Sequence, residues 1–521
     1  MIFTHRIPYS LSKIALFAER AVILSSVVSL LEDILVWFVP VLVWDSWFFR
    51  INTKKINMFL SSNKIAYVFF HLKQHVSTKA LNDDKYIVLN EREESFANLK
   101  NKIVFVLSEA TKPEPALVSF MGEKVPVLFP FDDSQDKLFR FDANGNLIFG
   151  FDFLSSVFYL LSGQQELEIS QRDRYGRFSF VYSLQKRLGC VHLPVVNYYM
   201  EMIVQGIEAF ATENNLPFRR KRLFDNLGFV LSHDVDRVSF HHPFRILYKI
   251  KQFLGLAPLH YSRSKTIKLI FEGILFHINP FRKDDPWWNF DWIIALEKRL
   301  GIRSTFFFLK QEDRFDNSLY KFHFKKIRNL ISELKAQEFE VGLHGTMRSV
   351  TDRENLVKQK DELSVILGES PVGIRQHYLR FFNPETFKIQ QSAGLKYDSS
   401  LGFAEQDGYR NSYCYPFHPY DFENDRMMLI WEIPLVMMEV SVLQYRREGF
   451  EPLRKSVFHY IREARKFGGL FSLLWHNCRL SEYEYEGVTG FYESLLEEII
   501  EENPKVLSGK QLIEGMEEFN S

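Results

Sequence analysis

From Gly228 onward, short apolar runs alternate with stretches of helical period. Gly228–Ser232 (GFVLS) opens the series, and a run that is apolar at successive positions predicts a strand buried on both faces. Later runs of the same kind are RSTFFFL, FEVGLH, VGIRQHYLRF, LKYDSSLGF, WEIPLVMME and GLFSLLWHN. Between them, helical spacing predicts helices over 291–300, 324–336, 353–367, 384–393, 452–467 and 490–502, the last of these being the final helix, followed by Val506 and Leu507. Ser239–Pro286, between the first two strands, reads as a largely helical excursion whose basic residues belong to a solvated surface. Such strand-then-helix repetition predicts a parallel, barrel-like α/β domain.

The first half has a different texture. Helical spacing runs from Tyr9 to about Leu31. Between Lys64 and Gly150, β-rich runs (IAYVFF, YIVLN, KIVFVL, ALVSF, VPVLF, NLIFGF) are separated by turn-forming pieces. Helical period returns over Asp152–Leu161 and after Pro194. The charged stretch Ser170–Ser179 reads as an exposed loop, and Asn214–Asn226, rich in Lys and Arg, as a linker. These signals divide the chain into a smaller mixed α/β domain, 1–225, and a (β/α) barrel, 226–521.

Length supports two or three domains, since 521 residues exceed one typical domain. Lys plus Arg equals Asp plus Glu at 65 each, so no overall field favours nucleic acid or an anionic membrane. The three cysteines are scattered in no metal-binding spacing, which points to a reducing compartment. Ala21–Phe49 is the most hydrophobic region, but Glu32 and Asp33 split it, and Ile34–Trp44 falls short of the roughly 20 residues that cross a bilayer. The expectation is a cytoplasmic protein with no transmembrane segment, with peripheral membrane contact left open through Trp37, Trp44, Trp47 and Phe48. No phosphate-binding glycine loop is visible.

Chemistry collects at strand ends in barrels of this type. Reading those ends in turn gives Asp234 and Asp236, His344, Arg375 with His377, Asp398, and His476. Strand alternation puts Asp234 and Asp236 on one side and His233 on the other. Two carboxylates so placed repel each other unless a metal, an arginine or a shared proton compensates. The residue types suit metal-assisted hydrolysis. One Asp and one or two neutral imidazoles bind a divalent ion such as zinc, and a second Asp takes a proton from water. Arg375 keeps that Asp ionised, and a separate protonated His serves the leaving amine.

The same residues carry a family resemblance. SHDVD (232–236), LHGTMRS around His344, RQHY (375–378), YDSSLGF around Asp398 and LLWH ending at His476 resemble, in order, the five motifs of the NodB-homology polysaccharide deacetylases, carbohydrate esterase family four. The chain is similar to an HDVD-type subgroup with an additional N-terminal α/β domain. SGQQE (162–166) and RDRYGRF (172–178) resemble parts of that domain, the latter read as a loop at the barrel interface in preference to part of an anion-binding surface. The resemblance implies a distorted (β/α) barrel of the NodB-homology type and a metal-dependent amide hydrolase removing N-acetyl groups from a glycan or sugar precursor of a bacterial surface polysaccharide. Position by position it implies Asp234 as base tuned by Arg375, His476 as acid, Asp236 and His344 as metal ligands, and Tyr378, Asp398 and Trp475 as substrate contacts. Two positions depart from the pattern. Arg348 stands where the second histidine of the metal motif is expected, and His377 replaces the proline of the third motif. His377 is therefore the candidate for the third metal ligand. The competing readings are a C–N hydrolase of a small cyclic amide, and a non-catalytic carbohydrate-binding or assembly protein with a decayed metal site.

Overall fold

The strands upstream of residue 226 hydrogen-bond only among themselves, and those from Gly228 on do the same, in a computed structural model that describes residues 60–521. The description omits 79–80, 82–85, 91–97, 109, 111, 132–137, 280–284, 313–314 and 521. The helix expected over Tyr9–Leu31 and the apolar stretch Ala21–Phe49 lie outside the described residues.

Upstream, strands Ile87–Asn90, Ile103–Val106, Leu147–Phe149 and Phe139–Phe141 pair in that order, the first two junctions parallel and the last antiparallel. Two expectations are corrected here. IAYVFF is not a strand but the centre of helix Ser62–Leu72, whose Ser61 hydroxyl caps the Lys64 amide. Its buried positions Ile65, Val68, Phe69 and Leu72 follow the i, i+3, i+4, i+7 rule, a period hidden by β-branched and aromatic residue types. The stretch read as a linker contains strand Phe218–Arg220, antiparallel to Val76–Thr78.

Downstream, eight strands form a wholly parallel sheet. They are β1 (Gly228–Val235), β2 (Thr305–Leu309), β3 (Glu340–Gly345), β4 (Gly373–Gln376), β5 (Tyr397–Asp398), β6 (Trp431–Glu432), β7 (Met437–Met438) and β8 (Leu470–Leu474). Their order is β6-β5-β4-β3-β2-β1-β8-β7, and a ninth, β9 (Lys505–Val506), lies parallel against the start of β1. The two edge strands, β6 and β7, are consecutive in the chain, so the sheet curls until its edges are spanned by the short link Ile433–Val436. Pro434 explains why WEIPLVMM is two strands and not one. It has no N–H for a ladder, and its carbonyl and the Val436 amide both bond the Ser472 hydroxyl instead.

Alternation along β1 sorts its side chains. Phe229, Leu231 and Val235 pack outward against the helices, in one apolar cluster that also includes Val195, Tyr198 and Ile203 from the upstream part. Val230 points inward, where with Phe307, Tyr397 and Trp431 it fills the barrel interior. Below that layer sit Leu512, Ile513 and Met516 of helix Gly509–Asn520. This helix follows the one expected to be last, and it plugs the barrel floor. The interior is thus closed beneath, and polar side chains collect at the opposite, C-terminal end of the strands. Upstream residues also clamp the barrel side. Glu166 accepts two bonds from Arg410, at 2.8 and 2.7 Å, in a fully buried ion pair.

Candidate active site

Ser232, Asp234 and Asp236 follow Val230 up the inward face of β1, so the strand period delivers both carboxylates to the barrel mouth. His233 points the other way. Its ring bonds the Trp475 carbonyl at 2.7 Å and the buried Glu297 carboxylate at 2.6 Å, and it takes no part in the mouth.

Asp234 is held by Arg375 of β4, whose Nη1 donates to Oδ1 at 3.0 Å and to the Ser232 hydroxyl at 2.8 Å. Two further donors of the fork are committed: Nε to the Ser399 carbonyl at 2.7 Å and one N–H of Nη2 to the Ser399 hydroxyl at 2.9 Å. Its guanidinium rests over the Phe307 ring, 4.7 Å from the centroid. With four of its five N–H groups bonded and the side chain buried, Arg375 is a fixed counter-charge for Asp234.

His344, at the end of β3, bonds the Arg375 carbonyl through Nδ1 at 2.8 Å. A carbonyl only accepts, so Nδ1 carries the proton. A neutral ring then presents a bare Nε2 lone pair to Asp236 Oδ1 at 3.2 Å and Asp234 Oδ2 at 3.6 Å. Such an arrangement needs a positive centre, either a proton on Nε2 or a bound cation. Burial opposes charging His344, but Asp234 and Asp236 outweigh it and raise its pKa. His377 follows β4 directly, with Nε2 3.8 Å from Asp236 Oδ2 and a buried Nδ1 that has no partner. Burial lowers its pKa to about 3, so its ring is neutral, the form that ligates metals. Asp236, although burial works against its charge, is held well below the usual carboxylate range by the surrounding imidazoles of His377, His344 and His476. One donor atom each from Asp236, His344 and His377 lie within 4.8 Å of one another. A carboxylate and two imidazoles, one with its second nitrogen bonded to a carbonyl, are a donor set that fits zinc or a similar divalent ion. Arg348 points away: its side chain is 68% exposed and pairs with Asp352 at 2.8 Å.

His476, just beyond β8, has Nε2 3.8 Å from Asp236 Oδ2, while Nδ1 meets the fully buried Glu439 carboxylate at 2.7 Å. Burial alone would depress this imidazole, but Glu439, with help from Asp236 and Asp234, holds its pKa up at about 9. Because that value lies above the unfolded one near 6.5, the stabilisation is complete below pH 6.5 and lost as pH rises through 9. In metal-free protein, an NMR titration should therefore find His476 protonated up to about pH 9. In Glu439→Gln, the carboxylate that raises the ring most is gone and burial still opposes its charge, so the midpoint should fall. A wild-type midpoint near 6.5 would show that Glu439 does not charge this ring.

Tyr378 stands at the rim in left-handed backbone (φ 62°), its ring stacked on His377 at 4.0 Å and on Tyr175 at 4.9 Å. The structure places Asp398 and Trp475 elsewhere. Asp398 is enclosed by Gln390 and Ser400, and burial together with the neighbouring Asp398 pushes the Glu432 carboxyl well above its usual range. Trp475 is fully buried, edge-on to Tyr492 at 4.9 Å. Neither side chain reaches the mouth.

Several contributors escaped the sequence reading. Glu439 ends an apolar run, so the strand-end rule that found the others could have found it. Ser232 and Ser399, which lock Arg375, carry no signal, because serine at a strand end is unremarkable. RDRYGRF does reach the barrel: Arg177 bonds the Tyr378 carbonyl at 2.9 Å and Tyr175 covers its ring.

The model of a family of unknown function, DUF7033, matches residues 49–211, upstream of the whole cluster. No curated protein matches the chain. Similar solved structures include a Mycobacterium smegmatis protein assigned as a polysaccharide deacetylase, at 14% identity over 56% of this chain and 91% of that one, with a TM-score of 0.38. Puue allantoinase is 15% identical over 56% of this chain and 90% of its own, at a TM-score of 0.36. The peptidoglycan deacetylase PdaC of Bacillus subtilis, as a D285S mutant, is 11% identical over 56% and 93%, at 0.29. Likenesses this distant carry no assignment of chemistry.

Proposed function

We propose that residues 226–521 form a metal-dependent amide hydrolase that removes the acetyl group from an N-acetylated sugar of a surface-polysaccharide glycan or its precursor, with residues 1–225 as a separate mixed α/β domain. One observation carries the reading: a locked carboxylate (Asp234–Arg375) and a charged imidazole (His476–Glu439), from the neighbouring strands β1 and β8, border the Asp236, His344 and His377 cluster. A purely structural ion-pair network has no need of a proton acceptor and a proton donor beside three ligand atoms, 3.6 Å from His344 and 3.8 Å from Asp236 respectively.

Asp236, His344 and His377 would hold the ion. When bound, a divalent metal such as zinc polarises the acyl oxygen and acidifies water. Asp234 takes the proton from the attacking water at its carboxylate, and the Arg375 bond keeps that carboxylate aimed. His476 gives its Nε2 proton to the amine nitrogen as the C–N bond breaks, so a neutral amine leaves and acetate forms. Glu439 holds His476 ready as the acid. Tyr378 stands at the rim of the site, where its ring, stacked between His377 and Tyr175, would meet a sugar by its edge and hydroxyl.

The test is acetate release from a panel of N-acetylhexosamine compounds by metal-loaded and metal-stripped protein. We expect release that disappears on chelation and returns with zinc. Metal-loaded protein that binds the ion tightly and releases no acetate from any member would sink the hydrolase reading.

A further inference from the structure

Between β1 and β2 the chain leaves the barrel as a helical hairpin, α1 (Pro243–Phe253) and α2 (Arg263–Ile278). Half of the exposed large apolar side chains among the described residues, 11 of 22, fall between 244 and 278. They are not scattered. On α1, Phe244, Leu247 and Tyr248, and at its C-cap Leu254, keep helical spacing on one face, with Phe244 69% and Leu254 62% exposed. On α2, Ile267, Phe271, Ile274 and Ile278 do the same, with Phe271 60% and Ile278 71% exposed. Leu256, in the connecting turn, is 74% exposed.

The inward faces are the reverse of what a solvated hairpin shows. They bury Ile246, Lys249 and Gln252 on α1, and Thr266, Leu269 and Gly273 on α2. Gly273 lets the helices close up, since a Cβ there would come within 2.8 Å of Ile246. The Lys249 ammonium is tucked over Phe240, 3.9 Å from the ring centroid. Larger apolar side chains thus face out than in.

Charge is equally uneven. Residues 243–279 carry six Lys and Arg against the single acid Glu272, a net +5, in a chain whose total is zero. Lys251, Arg263, Lys265 and Lys268 are exposed beside the apolar stripes. An outward apolar face bordered by cations matches the chemistry of an anionic lipid surface, whose acyl layer takes the first and whose headgroups take the second. The two ends of the excursion are also tied together. Asp285 accepts from the Phe240 amide at 2.7 Å, the Ser239 hydroxyl at 2.9 Å and the Trp287 amide at 3.0 Å, stapling the start and end of the excursion together.

We propose that this hairpin docks the protein on an anionic lipid bilayer, its apolar face lying in the headgroup layer. Because it springs from the strand that carries Asp234 and Asp236, docking brings the barrel mouth to the membrane. If the hydrolase reading holds, the substrate class follows from it: an N-acetylated sugar carried on a lipid.

The experiment is co-sedimentation of the full chain with phosphatidylcholine vesicles and with vesicles that also contain phosphatidylglycerol. We expect the phosphatidylglycerol vesicles to bind more than about tenfold better, and Leu247→Glu/Phe271→Glu to lose that binding by a similar factor. Both side chains are exposed, so the variant should keep the wild-type melting temperature. A fluorophore on Leu256→Cys should shift to the blue on the anionic vesicles. Equal binding to both vesicle types, full binding by the double variant, or an unshifted fluorophore would each overturn the proposal. So would a wild-type dimer that the double variant makes monomeric while vesicles bind neither. The readout needs no turnover, so docking and hydrolysis can fail separately.

Discussion

Replacing Asp234 with Asn is expected to lower kcat for acetate release by about 10²–10⁴-fold while leaving zinc content near that of the wild type. Asp234 is not one of the three clustered donors; its Oδ1 is engaged by Arg375 at 3.0 Å and its Oδ2 lies 3.6 Å from His344. An amide keeps the carboxylate's shape and can still accept from Arg375 through its oxygen. It cannot take a proton from water at any working pH. The loss should therefore fall on kcat, with KM little changed, because the group acts in the transition state and not in binding. Leaving Arg375 buried without its counter-charge costs stability, on the scale of about 3–5 kcal/mol for breaking such a pair. The Ser232 and Ser399 bonds remain to hold the guanidinium, so folded protein should be recovered, and its melting temperature measures the cost. Activity within about tenfold of the wild type, from protein of normal metal content, would remove Asp234 from the role of base.

The strand–helix alternation was legible because parallel strands buried on both faces must be apolar throughout, and that signal survives without knowledge of the partners. The cluster was legible for a related reason. A polar residue that ends such a run stands out, and Asp236, His344 and His377 do come together in space. Contacts between distant parts of the chain were not. Nothing local announces that Ser399 completes the grip on Arg375, or that Tyr175 crosses from the upstream part to lie on Tyr378. IAYVFF was misread because residue type and period disagreed, and the period decided. The hairpin after β1 was taken for a solvated surface on the strength of its lysines. Which face of each helix turns outward is a tertiary fact, and the apolar one does.

His377→Ala should weaken zinc binding by at least about a hundredfold, since even changes in the groups behind a ligand cost roughly 10–100-fold. The ring stands where the third donor is needed: it is buried, neutral, and 3.8 Å from Asp236 through Nε2, with His344 on the other side of that carboxylate. Stacking on Tyr378 at 4.0 Å fixes its plane, so little ordering remains to be done when an ion arrives. Asp236 and His344 alone would leave an ion with two protein ligands, short of the three that catalytic zinc sites keep. Arg348→Ala is the control. That side chain points to solvent and bonds Asp352, and it has no lone pair to give, so affinity should not move. Loss of the His377 ring also leaves a void, which is why affinity should be compared in proteins whose metal-free melting temperatures are known. An unchanged zinc affinity in His377→Ala, with acetate release lost, would instead place this imidazole on the substrate's acyl oxygen and leave water to complete the ion's shell.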